Sequence, residues 1–414
     1  MTERGDALDV RYITDSDIPE WSKALDTGFL RPYNEGAADI RRLRVIPART
    51  QGAFDGARCV GTFRSFPSEV TVPGGGTVAA SAISNVAVTA THRRRGLLTR
   101  MMAEELRASA EREEPVSVLI AAEYGIYGRY GFGQATTSVD YEVDLARAAL
   151  GPCAPPSEGR LDLVDAAEML KYGPELYDRF RLTCPGAMPR NERWWQMAAG
   201  HLRMPGEPWT EPFRVLYRDA SGQVDGLLAY TVDDRWESKV PRDKLNVVEL
   251  IAATPAAEAE LWRYAMSVDW VWTVSAGHRP PDDILPLLLG DPRAVTRTTY
   301  ADYMWLRPLD VPAILAARAY SAADALVLEV HDRDGYAAGR FLLDGSPVGA
   351  TCERTTRSAD LTLDATALGS LYLGEETATR LAVVGRVEES TANAAGRVDA
   401  MFRTGRRPWC PDIF

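Results

Sequence analysis

Residues 91–102 read Thr-His-Arg-Arg-Arg-Gly-Leu-Leu-Thr-Arg-Met-Met. They follow an apolar stretch with a strand pattern, Ile83 to Val88, and open a run with helical periodicity. Arg93, Arg94, Arg95 and Gly96 therefore stand at a strand-to-helix junction. The first amides of a helix have no partner within it and carry a positive partial charge, which makes such a junction a seat for phosphate. Gly96 has no side chain in the way, so a ligand can approach the backbone there. Leu98, Met101, Met102 and Leu106 recur at i, i+3, i+4 and i+8, the stripe of a helix packed on a sheet. The junction carries neither Gly-x-Gly-x-x-Gly nor Gly-Lys-Ser/Thr, so the dinucleotide and nucleotide-triphosphate loops do not describe it.

Working outward, Ala53 to Phe66 reads as a hairpin around Asp55-Gly56, with Val70 to Val72 as a further strand. Pro73 to Gly76 turns the chain into Thr77 to Val88. After the arginine loop and its helix comes a buried-type strand, Val116 to Ala122, then the glycine-rich run Gly125 to Gly133. Thr137 to Val143 alternates as a strand that ends a first block near residue 150. The order is that of an α+β layered unit. Gly151 to Gly159 is a linker by composition. Beyond it Phe213 to Tyr217, Gly226 to Val232, Val247 to Ala252 and Ala256 to Met266 repeat the order of the first block. Where the first copy has its arginines and glycine, this second copy has Ala253-Thr254-Pro255-Ala256-Ala257, which predicts no phosphate site. A third block starts near Leu306, with strands expected at Ala325 to His331, Tyr336 to Leu343 and Ala359 to Leu363, and a helical stretch after Asp364.

The net charge of −11 argues against nucleic acid as a partner and for a cationic one. The polar, charged start from Met1 to Val10 is not a signal peptide, and no apolar stretch approaches the ~20 residues of a membrane span, so a cytoplasmic protein is expected. Cys59, Cys153, Cys184, Cys352 and Cys410 are scattered, without metal-ligand spacing or a disulfide pattern. The four histidines, at 92, 201, 278 and 331, read as surface or loop residues, and no metal site is expected.

Arg93-x-x-Gly96-x-Leu98 after a strand resembles the acetyl-CoA pyrophosphate loop of the GNAT acyltransferases, although Leu98 replaces the usual small residue. The full run His92 to Leu98 is similar to that of the mycobacterial enhanced intracellular survival (Eis) acetyltransferases. The resemblance is most specific at residues 86–100, 124–133 and 368–374. It implies tandem GNAT domains, residues 1–150 catalytic and 151–305 degenerate, followed by a sterol-carrier-protein-like domain at 306–414. It further implies that acetyl-CoA is the co-substrate, held by Val86, Ala87, Val88, Arg93, Arg94, Arg95, Gly96, Leu97, Leu98 and Thr99, and that the chain forms a homohexamer, a dimer of trimers. Tyr127, within Ile126-Tyr127-Gly128-Arg129, matches the family's general acid, with Tyr124 and Tyr130 as competitors. A phenol pKa of ~10 lies above the ~8.5 of a thiol, so donation to a leaving thiolate needs help from the site. The family also turns its terminal carboxylate into the pocket, here that of Phe414. Asp26, Phe29, Tyr33 and Glu35 lie where GNAT proteins frame the acceptor, and Asn85 joins them if the strand alternates. The expectation is N-acetylation of a cationic amine (an aminoglycoside, another polyamine or a lysine side chain). The alternatives are a non-catalytic acyl-CoA or lipid-binding protein, or an acyltransferase with a longer acyl donor.

Overall fold

The computed structural model describes residues 8–34, 36–151 and 158–414. The first of two seven-stranded sheets runs in the order Asp9–Tyr12, Thr50–Asp55, Arg58–Thr71, Thr77–Val88, Val116–Ile120, Met304–Pro308, Gly133–Gln134. Its hairpin turns at Gly56, whose φ of +59° suits a residue without a side chain. The expected short strand at 70–72 is instead the end of one 14-residue strand, Arg58–Thr71. Pro67 removes a single donor from that ladder and the pairing continues past it to Thr71 opposite Thr77. The helix Leu97–Glu111 follows the arginine loop and buries Leu97, Met101, Met102 and Leu106, while Leu98 is only half-buried.

The second sheet runs Val295–Asp302, Thr137–Asp144, Val271–Arg279, Asp243–Ala252, Val224–Asp233, Phe213–Arg218, Arg160–Val164. It contains a strand that belongs by sequence to the first block. Thr137–Asp144 pairs with Val271–Arg279 and with Val295–Asp302, both antiparallel. In return Met304–Pro308, which straddles the boundary expected at 305, pairs with Val116–Ile120 in the first sheet. The sheets have therefore exchanged strands, and the block ends expected near 150 and 305 do not coincide with sheet edges. Alternation of apolar and polar residues tells which face of a strand is buried; it does not tell which sheet receives the strand.

The third unit is a five-stranded sheet ordered Gly349–Arg354, Gly339–Ser346, Asp324–His331, Leu361–Asp364, Val387–Glu389. Its helix Ala365–Tyr372 is capped by Asp364, whose side chain accepts from the Ala367 amide, and packs on the first sheet. A side chain at Gly133 would collide with the Thr366 carbonyl, and one at Gly369 with the Leu306 carbonyl. These two glycines let the backbones of the two units touch. Arg307, wholly buried in the first sheet, completes the joint by binding Asp332 of the third unit at 2.8 and 2.9 Å. One core consequently runs through both, from Val70, Ala82 and Val118 to Phe341, Leu343 and Leu368. No helix among the described residues is long and apolar enough to cross a membrane.

Candidate active site

The strand Thr77–Val88 is interrupted where the sequence has Asn85. Its register against Arg58–Thr71 shifts between Thr62 and Arg64, Asn85 takes φ +54°, and the Thr62 hydroxyl donates to the Asn85 carbonyl at 2.8 Å. This bulge breaks the alternation assumed for Asn85. Parallel pairing with Val116–Ile120 covers only Ala80 to Ile83. Beyond Ile83 the strand loses that neighbour, and Val86, Ala87 and Val88 become half-buried. An open strand edge faces this gap, suited to receive an extended ligand through backbone groups.

The arginine loop lies at the end of this strand. Arg94 and Gly96 both take positive φ, +64° and +75°, which turns successive amides the same way. Gly96 is the N-cap of the helix, no side chain caps it, and its first turn holds no acid. Leu97, Leu98 and Thr99 supply the first-turn amides. Arg93, Arg94 and Arg95 are exposed, held among the described residues only by bonds from Arg93 to the Val88 carbonyl (3.4 Å) and from Arg95 to the Thr91 carbonyl (3.3 Å). His92, expected as a surface or loop residue, lies in the loop but is buried. It is 7% exposed, its Nδ1 lies 2.8 Å from the Thr91 hydroxyl and its Nε2 3.2 Å from Asp55, which ties the loop to the hairpin turn.

In the second copy the equivalent helix, Pro255–Ser267, is closed to an anion. The Thr254 side chain accepts from the Ala257 amide at 3.2 Å, Pro255 lacks an amide, and Glu258 sits in the first turn. Arg406, from the end of the chain, bonds to Glu258 at 3.3 Å and to Asp282 at 3.2 Å. The chain end thus runs across this helix, beside a cavity of about 290 Å³ lined by Thr254, Pro255 and Trp409.

Of the three tyrosines in the glycine-rich run, Tyr124 is 64% exposed and meets Trp305 edge-on. Tyr130 bonds through its hydroxyl to that of Thr99 at 3.0 Å, which joins the run to the phosphate-loop helix. Tyr127 is buried against Phe132, and its hydroxyl has no hydrogen-bond partner among the described residues. Burial, aided by the charges of Glu123 and Tyr130, raises its pKa to about 12.

The chain end is anchored along its length. The Trp409 indole donates to the His278 carbonyl and its amide to the Pro185 carbonyl, both at 2.8 Å. Cys410 is fully buried, and Asp412 pairs with the buried Arg190 at 2.8 Å while accepting from the Tyr177 hydroxyl at 2.8 Å. The Phe414 ring then meets Phe66 edge-on, centroids 6.0 Å apart. Phe66 lies two residues beyond Arg64, on the strand opposite the bulge.

The acceptor residues expected from sequence fare unevenly. Asp26 is 4% exposed and committed to Arg41, with one bond at 2.9 Å and a shorter one, so its charge is already neutralised. Phe29 and Tyr33 are exposed, and Glu35 lies outside the described residues. Asn85 accepts from Arg64 Nε at 2.9 Å. Arg64 itself, with Arg44 and the anchor formed by Tyr177, Arg190 and Asp412, was not singled out from sequence. The available signal was an arginine as the one charged residue inside Val60 to Phe66.

The comparisons with known proteins now bear on this arrangement. Residues 9–135 and 186–308 each match the acetyltransferase (GNAT) domain family, and residues 311–411 match the sterol carrier protein domain family. The chain is 53% identical to an uncharacterized N-acetyltransferase of Streptomyces avermitilis, covering 99% of this chain and all of that one. It is 36% identical to the N-acetyltransferase Eis of Mycobacterium tuberculosis over 85% of each chain. Among solved structures, Eis1 from Mycobacterium abscessus superimposes with a TM-score of 0.86 at 31% identity, over 99% of this chain and all of that one.

Proposed function

Because the chain belongs to the Eis-type GNAT N-acetyltransferases, which makes it an acetyl-transferring enzyme, we propose that it moves acetyl from acetyl-CoA to a primary amine by direct transfer in a ternary complex. The observation that carries this reading is the contrast between the two copies. One helix start is left with uncapped amides, flanking arginines and a splayed strand, and its counterpart is capped, acidic and crossed by the chain end. One CoA per chain follows.

Arg93, Arg94, Arg95 and the amides of Gly96 to Thr99 take the pyrophosphate, and the open edge at Val86 to Val88 takes the pantetheine arm and thioester. The amine nitrogen attacks the thioester carbonyl, a C–N bond forms and the C–S bond breaks. The amine proton leaves through water to the Phe414 carboxylate. The Tyr127 hydroxyl donates to the sulfur as negative charge develops there. The anchored tail supports the carboxylate's part, because a frayed terminus has no defined position.

The test is release of free CoA over a panel of amines, with Tyr127→Phe alongside. Wild type releases CoA with at least one amine, and Tyr127→Phe loses about 10²–10⁴-fold in kcat while its affinity for acetyl-CoA is unchanged. Binding of acetyl-CoA with no release for any amine overturns the reading in favour of a binding protein.

A further inference from the structure

Beside the strand bulge, Arg64 and Arg44 hold positive charge that no carboxylate among the described residues answers. Arg64 is 4% exposed, yet among the described residues it forms no ion pair. Its Nε donates to Asn85 Oδ1 at 2.9 Å, its Nη1 to the Arg44 carbonyl at 3.3 Å, and the guanidinium lies 4.8 Å from the Phe66 ring centroid. Nη2 has no acceptor among the described residues and is not sealed from solvent, so one edge of the fork faces open space. Arg44 is also without an ion pair among them. It is exposed, and still loss of hydration, with the charges of Arg193 and Arg41, lowers its pKa.

Burial and Arg44 together bring the Arg64 pKa down to about 9, so the guanidinium pays for its position. An unpaired buried charge costs more than its hydrogen bonds return, and it persists where a ligand completes the pair. The tail does not supply that partner. Its ion pairs run from Arg406, Arg407 and Asp412, and none among the described residues reaches Arg64. Asp26 is taken by Arg41. The chain's overall negative charge does not change this local sign, since exposed charges more than ~10 Å away are screened.

We propose that the acceptor carries an anionic group, a carboxylate or a phosphate, as well as its amine, and that Arg64 and Arg44 bind that anion in the acceptor cleft. This deepens the acetyl-transfer reading above and rests on it: Phe66, which stacks on Arg64, also carries the ring of Phe414, whose carboxylate receives the amine proton. The anion fixes the far end of the acceptor and leaves its amine near the terminal carboxylate. A planar fork with a free edge suits a two-oxygen anion.

Matched acceptors test this: lysine against cadaverine, which lacks only the carboxylate, and ethanolamine phosphate against ethanolamine. The anionic member of at least one pair has a kcat/KM higher by about tenfold or more, the value of a charge-assisted hydrogen bond. The pair that shows it distinguishes carboxylate from phosphate. In Arg64→Gln that ratio falls toward one, and Arg64→Lys retains part of it. A wild-type preference for cadaverine and ethanolamine overturns the proposal, as does an equal loss with both members in Arg64→Gln. If no amine releases CoA, the acetyl-transfer reading falls, and the anion site is judged alone by calorimetric titration of the CoA complex with 5-aminopentanoate and with ethanolamine phosphate. Binding of one of them that Arg64→Gln weakens about tenfold sustains it. Titrations that Arg64→Gln leaves unchanged overturn it.

Discussion

In the proposed mechanism Gly96 and Tyr127 each place much of the chemistry on a single residue. Gly96 has φ +75° with nothing within 4 Å of an added Cβ, so alanine meets no clash there, only the backbone cost of the left-handed region. Gly96→Ala is expected to cost about 1 kcal/mol in denaturant unfolding and, by crowding the pyrophosphate, to raise KM for acetyl-CoA more than kcat falls. For Tyr127 the raised pKa decides its role. A phenol near 12 stands roughly 3.5 units above a thiol, about 5 kcal/mol uphill for complete transfer to a free thiolate. In the proposed mechanism Tyr127 therefore acts chiefly as a neutral donor to sulfur while the C–S bond breaks. The neutral form exists below its pKa, so activity falls on its account only as pH rises toward about 12. A basic limb seen below pH ~10 in wild type should persist in the residual activity of Tyr127→Phe; its disappearance there would assign that limb to the tyrosine. Tyr127 and the arginine loop were legible because each motif is local in sequence. Arg64 and the turn at Asn85 were not, because the bulge that pairs them depends on the register of two strands.

At the scale of elements, helix starts read well and strand partners did not. The capped Thr254-Pro255 start and the uncapped Gly96 start both follow from the residues on the spot. The exchange of Thr137–Asp144 for Met304–Pro308 follows from pairings well over a hundred residues apart, such as Asp144 with Thr273 and Ile120 with Met304, which no local pattern encodes. The tail is an element of this second kind. The last residues of a chain fray by default, and here Trp409 and Asp412 each find a partner from elsewhere in the fold, while the Cys410 thiol donates to the Asp412 carbonyl within the tail. A short polar extension after Phe414 converts its carboxylate into an amide and is expected to lower kcat by about 10²-fold, within the range for a lost proton acceptor, with acetyl-CoA affinity intact. Full activity in the extended protein would remove the terminus from the mechanism.

At the scale of the whole molecule, the outline of three units was legible in the sequence but not their seams, because Gly133, Gly369 and the Arg307–Asp332 pair fuse units that looked separable. The merged core also sets the response to pH. Burial raises the pKa of Tyr12 and Tyr127 to about 12, and those of Tyr303, Tyr320 and Tyr372 further still. Unfolded tyrosines ionise near pH 10, so above that pH the unfolded chain holds fewer protons than the folded one and stability declines. It is expected to be fully present below about pH 10 and to drop by several kcal/mol toward pH 12, which urea midpoints at pH 8 and pH 11 would register; equal midpoints would refute it. The exchanged strands carry a different consequence, one of timing. The first sheet lacks its Met304–Pro308 strand until the ribosome has passed residue 308, roughly 10–40 s after residue 120 at common translation speeds. Synthesis interrupted anywhere before that point yields a chain whose first sheet, the one that carries the arginine loop, lacks its Met304–Pro308 strand.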